Sequence, residues 1–225
     1  MANALVQTAT GGTTSGTSHT VTWGSDTTTG NLFVASIMVG GASSVSSITD
    51  SQSNTWTKIT SLTGTSTVTL EIWYSKNITG GTTPTITINH SNQQANSIVR
   101  EFSGLDTASP LDKSAIAAGI GGSPSSGATA TTTSANELVV GFAADIVNAG
   151  TVGAGYSNLL RQQKAGTTMS AYIEGKTVTS TGTQTATFGG MSSIWVVGVA
   201  TFKEVVELRG SNAIKLQAVN RAGTY

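Results

Sequence analysis

The chain contains no cysteine, only three prolines and few charges, and each shortage removes a class of explanation. Without cysteine there are no disulfides and no thiolate metal sites. Charged residues make up 10% of the 225 positions, against about 25% in an average globular chain. Eleven basic and eleven acidic residues cancel. A neutral chain lacks the basic stripe with which a nucleic-acid binder displaces counterions. Neutrality also lowers repulsion between copies, which suits self-association or packing on a larger surface. No apolar run approaches the roughly 20 residues of a membrane helix, so no membrane partner is expected. Met1-Ala-Asn-Ala-Leu-Val-Gln-Thr8 has neither the basic region nor the apolar stretch of a signal peptide. Folding in the compartment of synthesis is the expectation. Helical periodicity is missing before residue 203.

What is abundant is hydroxyl. Thr (39) and Ser (28) together outnumber the 22 charged residues threefold. Threonine's branched body fits a pleated strand while its hydroxyl faces water. Val, Ile, Leu and Trp recur among these hydroxyls with period two, which a disordered Ser/Thr tract would not show.

The pattern runs twice along the chain. His19-Thr-Val-Thr-Trp23 is answered by Ala128-Thr-Ala-Thr131, and Asn31-Leu-Phe-Val-Ala35 by Asn136-Glu-Leu-Val-Val140. Leu70-Glu-Ile-Trp-Tyr74 is answered by Ala171-Tyr-Ile-Glu174, and Thr83-Pro-Thr-Ile-Thr-Ile88 by Thr183-Gln-Thr-Ala-Thr-Phe188. Ser97-Ile-Val-Arg-Glu-Phe102 is answered by the run from Ile194 to Phe202. The spacing predicts strands near 19–23, 32–40, 46–50 with 54–60, 67–76, 83–89 and 95–103. In the second copy it predicts them near 128–133, 138–146, 156–164, 168–178, 182–188 and 193–203. Gly40-Gly41, Gly80-Gly81 and Gly189-Gly190 punctuate them as turns. The expected fold is all-β: one β-sandwich of jelly-roll type over 19–204, built from copies 19–104 and 128–204. In it Trp73 should lie near the position of Tyr172, and Phe102 near that of Phe202. Residues 1–18 read as an arm or a first strand, and 105–127 as a linker.

The segment 205–225 differs in kind. Six of the 22 charges fall in the last 23 residues, among them Glu204, Glu207, Arg209, Lys215 and Arg221. Val205, Val206, Leu208, Ile214, Leu216 and Val219 remain apolar. A tail both charged and apolar packs on a partner or folds back as an edge strand. On the first alternative, Val205, Val206, Leu208, Arg209, Ile214, Lys215, Leu216, Val219 and Arg221 form the contact.

Chemistry-bearing residues are sparse. His19 and His90 read as surface histidines, and a metal or other cofactor is not expected. Glu71, Glu101 and Glu174 are the strand carboxylates that could face across a cleft. Glu71 alternates with Leu70 and Ile72 and so should point to solvent, and Glu71 and Glu174 fall at corresponding places. Catalysis is not expected. Asp50-Ser-Gln-Ser-Asn54 offers oxygens at alternate positions, as a calcium loop or an Asx turn. Trp56 follows this turn, as a ring for stacking on a glycan or as a lid on the sandwich.

Gly30-Asn-Leu-Phe-Val-Ala35, Ile48-Thr-Asp-Ser-Gln-Ser-Asn-Thr-Trp56 and Ile72-Trp-Tyr-Ser-Lys-Asn77 together resemble a β-sandwich domain of bacterial surface proteins and tailed-bacteriophage virion proteins. Roughly residues 19 to 204 are similar to jelly-roll domains used for decoration and adhesion. The resemblance implies a structural virion protein assembled in the host cytoplasm. Its sharpest form is a capsid decoration or cement protein, oligomeric and bound to the major capsid protein or another virion protein. A carbohydrate-binding or adhesion module of a surface or tail-fibre protein is the competing expectation.

Overall fold

The computed structural model describes residues 2–147 and 150–205. They form an all-β sandwich without a helix. The strands are β1 (Ala4–Thr13), β2 (Ser18–Thr22), β3 (Leu32–Gly40), β4 (Val45–Asp50), β5 (Thr57–Gly64), β6 (Val68–Ser75), β7 (Thr85–His90) and β8 (Ala95–Ser103). They continue as β9 (Leu111–Ile120), β10 (Asn136–Asp145), β11 (Ser157–Gln162), β12 (Ser170–Thr179) and β13 (Ile194–Lys203). An eight-stranded sheet has the order β4-β7-β2-β1-β8-β3-β6-β5, and a five-stranded sheet the order β11-β12-β10-β13-β9. All pairings are antiparallel.

Strand parity explains the layering. In β3, Leu32, Val34 and Met38 face the second sheet, where they meet Leu138, Val140, Phe142 and Ala144 of β10. The alternate residues Phe33, Ala35, Ile37 and Val39 pack the other way, against Val21, Ile48, Ile86 and Ile88 from β2, β4 and β7. The larger sheet therefore folds back over its own outer face. The bend lies between β1 and β2, whose ladder consists of the pair Gly11 and Val21. A Cβ on Gly11 would stand 2.2 Å from the Thr20 carbonyl oxygen, so glycine permits this approach. The second sheet is covered likewise: Val139, Ala143, Tyr172, Val197 and Val199 pack with Ala186, Phe188 and Met191. Both faces of β3 and β10 are thus buried, and their sequences read as continuous apolar runs.

The covering segment of the second half pairs unusually. Ser126, Thr129 and Thr132 donate backbone N–H bonds to the carbonyls of Ala186, Gln184 and Gly182. Their hydroxyls accept the N–H groups of the same three residues at 3.0–3.2 Å. Every third residue on one segment meets every second on the other, and hydroxyls stand in for the missing carbonyl acceptors. The Ser/Thr abundance here satisfies backbone donors.

The two sheets share a strand order. β1-β8-β3-β6-β5 of the first corresponds to β9-β13-β10-β12-β11 of the second. Across the seam β1 meets β11, β8 meets β12, β3 meets β10, β6 meets β13 and β5 meets β9. This is the arrangement of a two-fold axis between β3 and β10, as in an isologous dimer interface. Matching rows follow from the register. Leu32 pairs with Phe102 and Leu138 with Phe202, so the two phenylalanines occupy equivalent places. Trp73 corresponds instead to Glu174, and Glu71 to Tyr172, two residues from the alignment expected.

Two further expectations change. Residues 1–18 contain β1, paired with β8 from Ala4 to Thr13, so the strand alternative holds over the arm. The segment 105–127 is no linker, because β9 runs through it and pairs with β13. β9 is rich in Ala and Gly because it lies close against its neighbours; a Cβ on Gly119 would stand 2.4 Å from the Trp195 ring. The first sheet is complete at Ser103 before the second begins at Leu111. Within the first half the chain passes repeatedly between two layers, one ordered β1-β8-β3-β6 and the folded-back one β4-β7-β2.

Candidate functional site

β8 places one unusual residue in the seam. Ile98, Arg100 and Phe102 share the face that looks at the second sheet, and Arg100 is only 3% exposed. One of its terminal nitrogens donates to the carbonyl of Asn158, and its Nε–H has no partner. Among the described residues no carboxylate forms an ion pair with it. Asn158 holds a left-handed backbone conformation, φ 54°, in the irregular stretch of β11 between Ser157 and Leu160. Asparagine tolerates that conformation better than most residues. Burial pushes the guanidinium down to about 10, and the Glu174 carboxylate opposes the shift.

Beside Arg100 opens a cavity of about 210 Å³, lined by Phe102 and Leu138 at its floor and by Asn3, Ser157 and Thr177 at its exposed rim. Asn3 is fixed in place. Its amide nitrogen and Nδ2 donate to Glu204 Oε1 at 3.0 and 2.6 Å, and its Oδ1 accepts from Thr177 Oγ1 at 3.0 Å. Glu174 points to the opposite face of β12, where Gly153 N–H donates to it at 2.8 Å. Burial, opposed by that hydrogen bond and by Lys176 and Arg100, raises Glu174 to about 7. The Lys176 ammonium sits 4.5 Å over the Tyr156 ring. The site is a small pocket of mixed lining, with Arg100 and Lys176 as its cations, Leu5, Phe102 and Leu138 as its apolar side chains and a polar mouth.

The residues singled out from the sequence lie elsewhere. His19 and His90 are buried, at 7% and 4% exposure, which corrects the surface reading. The reason is the fold-back that brings β2 and β7 over β8. His90 Nδ1–H donates to the Ser91 carbonyl at 2.7 Å, so its Nε2 accepts from His19 Nδ1–H at 3.1 Å. His19 Nε2 then accepts the Ser97 hydroxyl at 2.7 Å. Ser97 is fully buried, so its hydroxyl ends this chain inside the protein.

Glu71 also departs from expectation, because its solvent face is covered by the folded-back layer. It is fully buried and accepts from Val45 N–H at 3.0 Å and Trp73 Nε1–H at 2.8 Å, beside Lys58 Nζ at 2.9 Å. Glu101 accepts from Gln7, Thr28 and Asn31. Glu71, Glu101 and Glu174 thus have separate hydrogen-bond partners and share no cleft. Asp50 accepts the N–H groups of Gln52 and Asn54 at 3.0 and 3.1 Å, which makes the 50–54 loop an Asx turn. Among the described residues no cluster of three His, Asp or Glu side chains could hold a metal.

Trp56 is half-buried as a lid. Its ring stacks on Phe33 with centroids 5.8 Å apart, and its Nε1–H donates to Asp50 at 2.8 Å. Of the tail contact, Val205 is described, 41% exposed, with its N–H bonded to the Gly104 carbonyl at 3.0 Å. Val206, Leu208, Arg209, Ile214, Lys215, Leu216, Val219 and Arg221 lie outside the described residues. The sequence does carry a signal for Arg100. Its parity with Ile98 and Phe102 puts a cation on an apolar face. Family models, curated proteins and solved structures gave no match to this chain.

Proposed function

We propose that this chain is a structural virion protein, in its most specific form a capsid decoration or cement protein of a tailed bacteriophage. It would self-associate and bind the major capsid protein or another virion protein. The observation that carries the reading is the change of composition near residue 203, where charged and apolar residues replace the Ser/Thr pattern of the strands. Lys203 N–H bonds the Pro110 carbonyl, Glu204 holds Asn3, and Val205 N–H bonds Gly104. Among the described residues thirteen strands and three apolar clusters build the sandwich. The sequence of 206–225 joins apolar Val206, Leu208, Ile214, Leu216 and Val219 to Arg209, Lys215 and Arg221, a composition that suits contact with a partner. The neutral, hydroxyl-covered surface suits close packing on a shell. The shared strand order of the two sheets supports a body made of two divergent copies.

The test is deletion of 206–225. The shortened chain should remain folded and soluble and should no longer join particles. Unfolding would make the tail part of the core, and full occupancy on particles would place attachment on the sandwich. Counting copies per purified virion separates the roles: hundreds indicate a shell protein, a few tens or fewer a tail component.

A further inference from the structure

We propose that the pocket beside Arg100 binds a small monocarboxylate with a flat apolar body, an aromatic or vinylic acid. The inference is independent of the virion reading.

Val34 lies between Arg100 and Tyr74 in the first sheet, and Val140 between Ala200 and Gly175 in the second. These rows are equivalent, and each faces the other across the seam. On one side Tyr74 of β6 fills the space against β13, its ring 6.1 Å from that of Phe202. On the related side the tyrosine is replaced by Gly175, facing Phe102, and Ala200 is replaced by Arg100. One seam position is packed with a phenol ring. Its counterpart holds a cavity of about 210 Å³ whose wall is a guanidinium. The walls match the packed side closely, with Phe102 and Leu138 answering Phe202 and Leu32. The free volume is therefore suited to a small planar group, below the roughly 300 Å³ at which drug-sized sites begin.

A buried guanidinium costs several kcal/mol to desolvate and is retained where an anion compensates it. Arg100 makes one hydrogen bond through a terminal nitrogen and leaves Nε–H unpaired. A carboxylate can take two parallel N–H bonds from such a fork. The charged groups around the pocket are Arg100, Lys176, Glu174 and, through Asn3, Glu204. Lys176 is engaged over Tyr156 and Glu174 faces away into the outer core. With Glu174 acting on Arg100 and Lys176 from the other face of β12, the net positive charge of the site is small, which matches a single carboxylate better than a dianionic phosphate. Asn3, Ser157 and Thr177 at the rim leave the entrance open to water.

Full-length protein labelled with ¹⁵N tests this directly, through the Arg100 Nε–H resonance assigned with Arg100→Met. Benzoate should shift that resonance together with Phe102 and Leu138 signals. Benzamide, which has the same body without the charge, should bind at least about tenfold more weakly, because it leaves the buried guanidinium without its anion. Acetate should be weaker than benzoate, for want of the ring. Arg100→Met should abolish benzoate binding; it replaces an unpaired charge with a side chain of similar length, so a folded protein is expected. If that variant does not fold, the wild-type titrations alone decide. No shift with any carboxylate overturns the proposal. Equal binding of benzamide reduces the pocket to an apolar cavity and overturns it as well. Tighter binding of inorganic phosphate overturns the assignment to a monocarboxylate.

Discussion

His19 Nδ1 lies 3.1 Å from His90 Nε2, inside the layer that the first sheet folds over itself. The contact joins β2 to the end of β7, and Ser97 extends it to β8. Burial, with a smaller contribution from His90, lowers His19 from 6.5 to about 4.

The first prediction follows from this shift. The unfolded chain binds a proton at His19 near pH 6.5, and the folded chain only near pH 4. The stabilisation is complete above 6.5 and is lost as pH falls toward 4, to a total of about 3 kcal/mol. Buried carboxyls titrate in the same window with opposite sign, so the comparison must be differential. Urea unfolding of wild type and His19→Asn between pH 7 and 4 should show the wild type losing its relative advantage. Parallel pH profiles would refute the buried pair.

Glu174 gives the opposite slope. Its folded value is raised to about 7 from 4.5, so its contribution is complete below 4.5 and is lost as pH rises through 7. Glu174→Gln should gain on wild type as pH rises from 5 to 8, by up to about 3 kcal/mol. A constant difference across that range would mean the carboxylate is solvated.

Phe142 is fully buried in the cluster shared by both sheets. Phe142→Ala should cost about 3–5 kcal/mol. Both halves should melt together in calorimetry, since the seam is their common core. Two separated transitions in the wild type would show that each half is stabilised by its outer cluster alone.

Trp56→Ala removes a ring stacked on Phe33 and the hydrogen bond to Asp50. It should lower stability by about 1–3 kcal/mol and leave glycan-array binding unchanged. Loss of a glycan signal without loss of stability would favour the carbohydrate-binding alternative.

The sequence by itself determined the fold class, most strands and the sense of their faces. Period-two patterning is a local consequence of strand geometry, so Leu32, Val34 and Met38 could be grouped before any contact was known. It could not say what covers each face. Glu71 alternates with Leu70 and Ile72, and in a two-layer sandwich it would meet water. Here β2, β4 and β7 return over that face, and Glu71, His19 and His90 are buried by strands distant in sequence. β9 was illegible for a related reason. Its Ala and Gly carry little strand preference, and the close approach of Trp195 selects them. Arg100 was legible as a cation on an apolar face. Its pocket was not, because a cavity is a difference between facing surfaces. Only the packing of β8 on β12, which sets Arg100 over Gly175 where the equivalent row sets Tyr74 over Ala200, decides that the space remains.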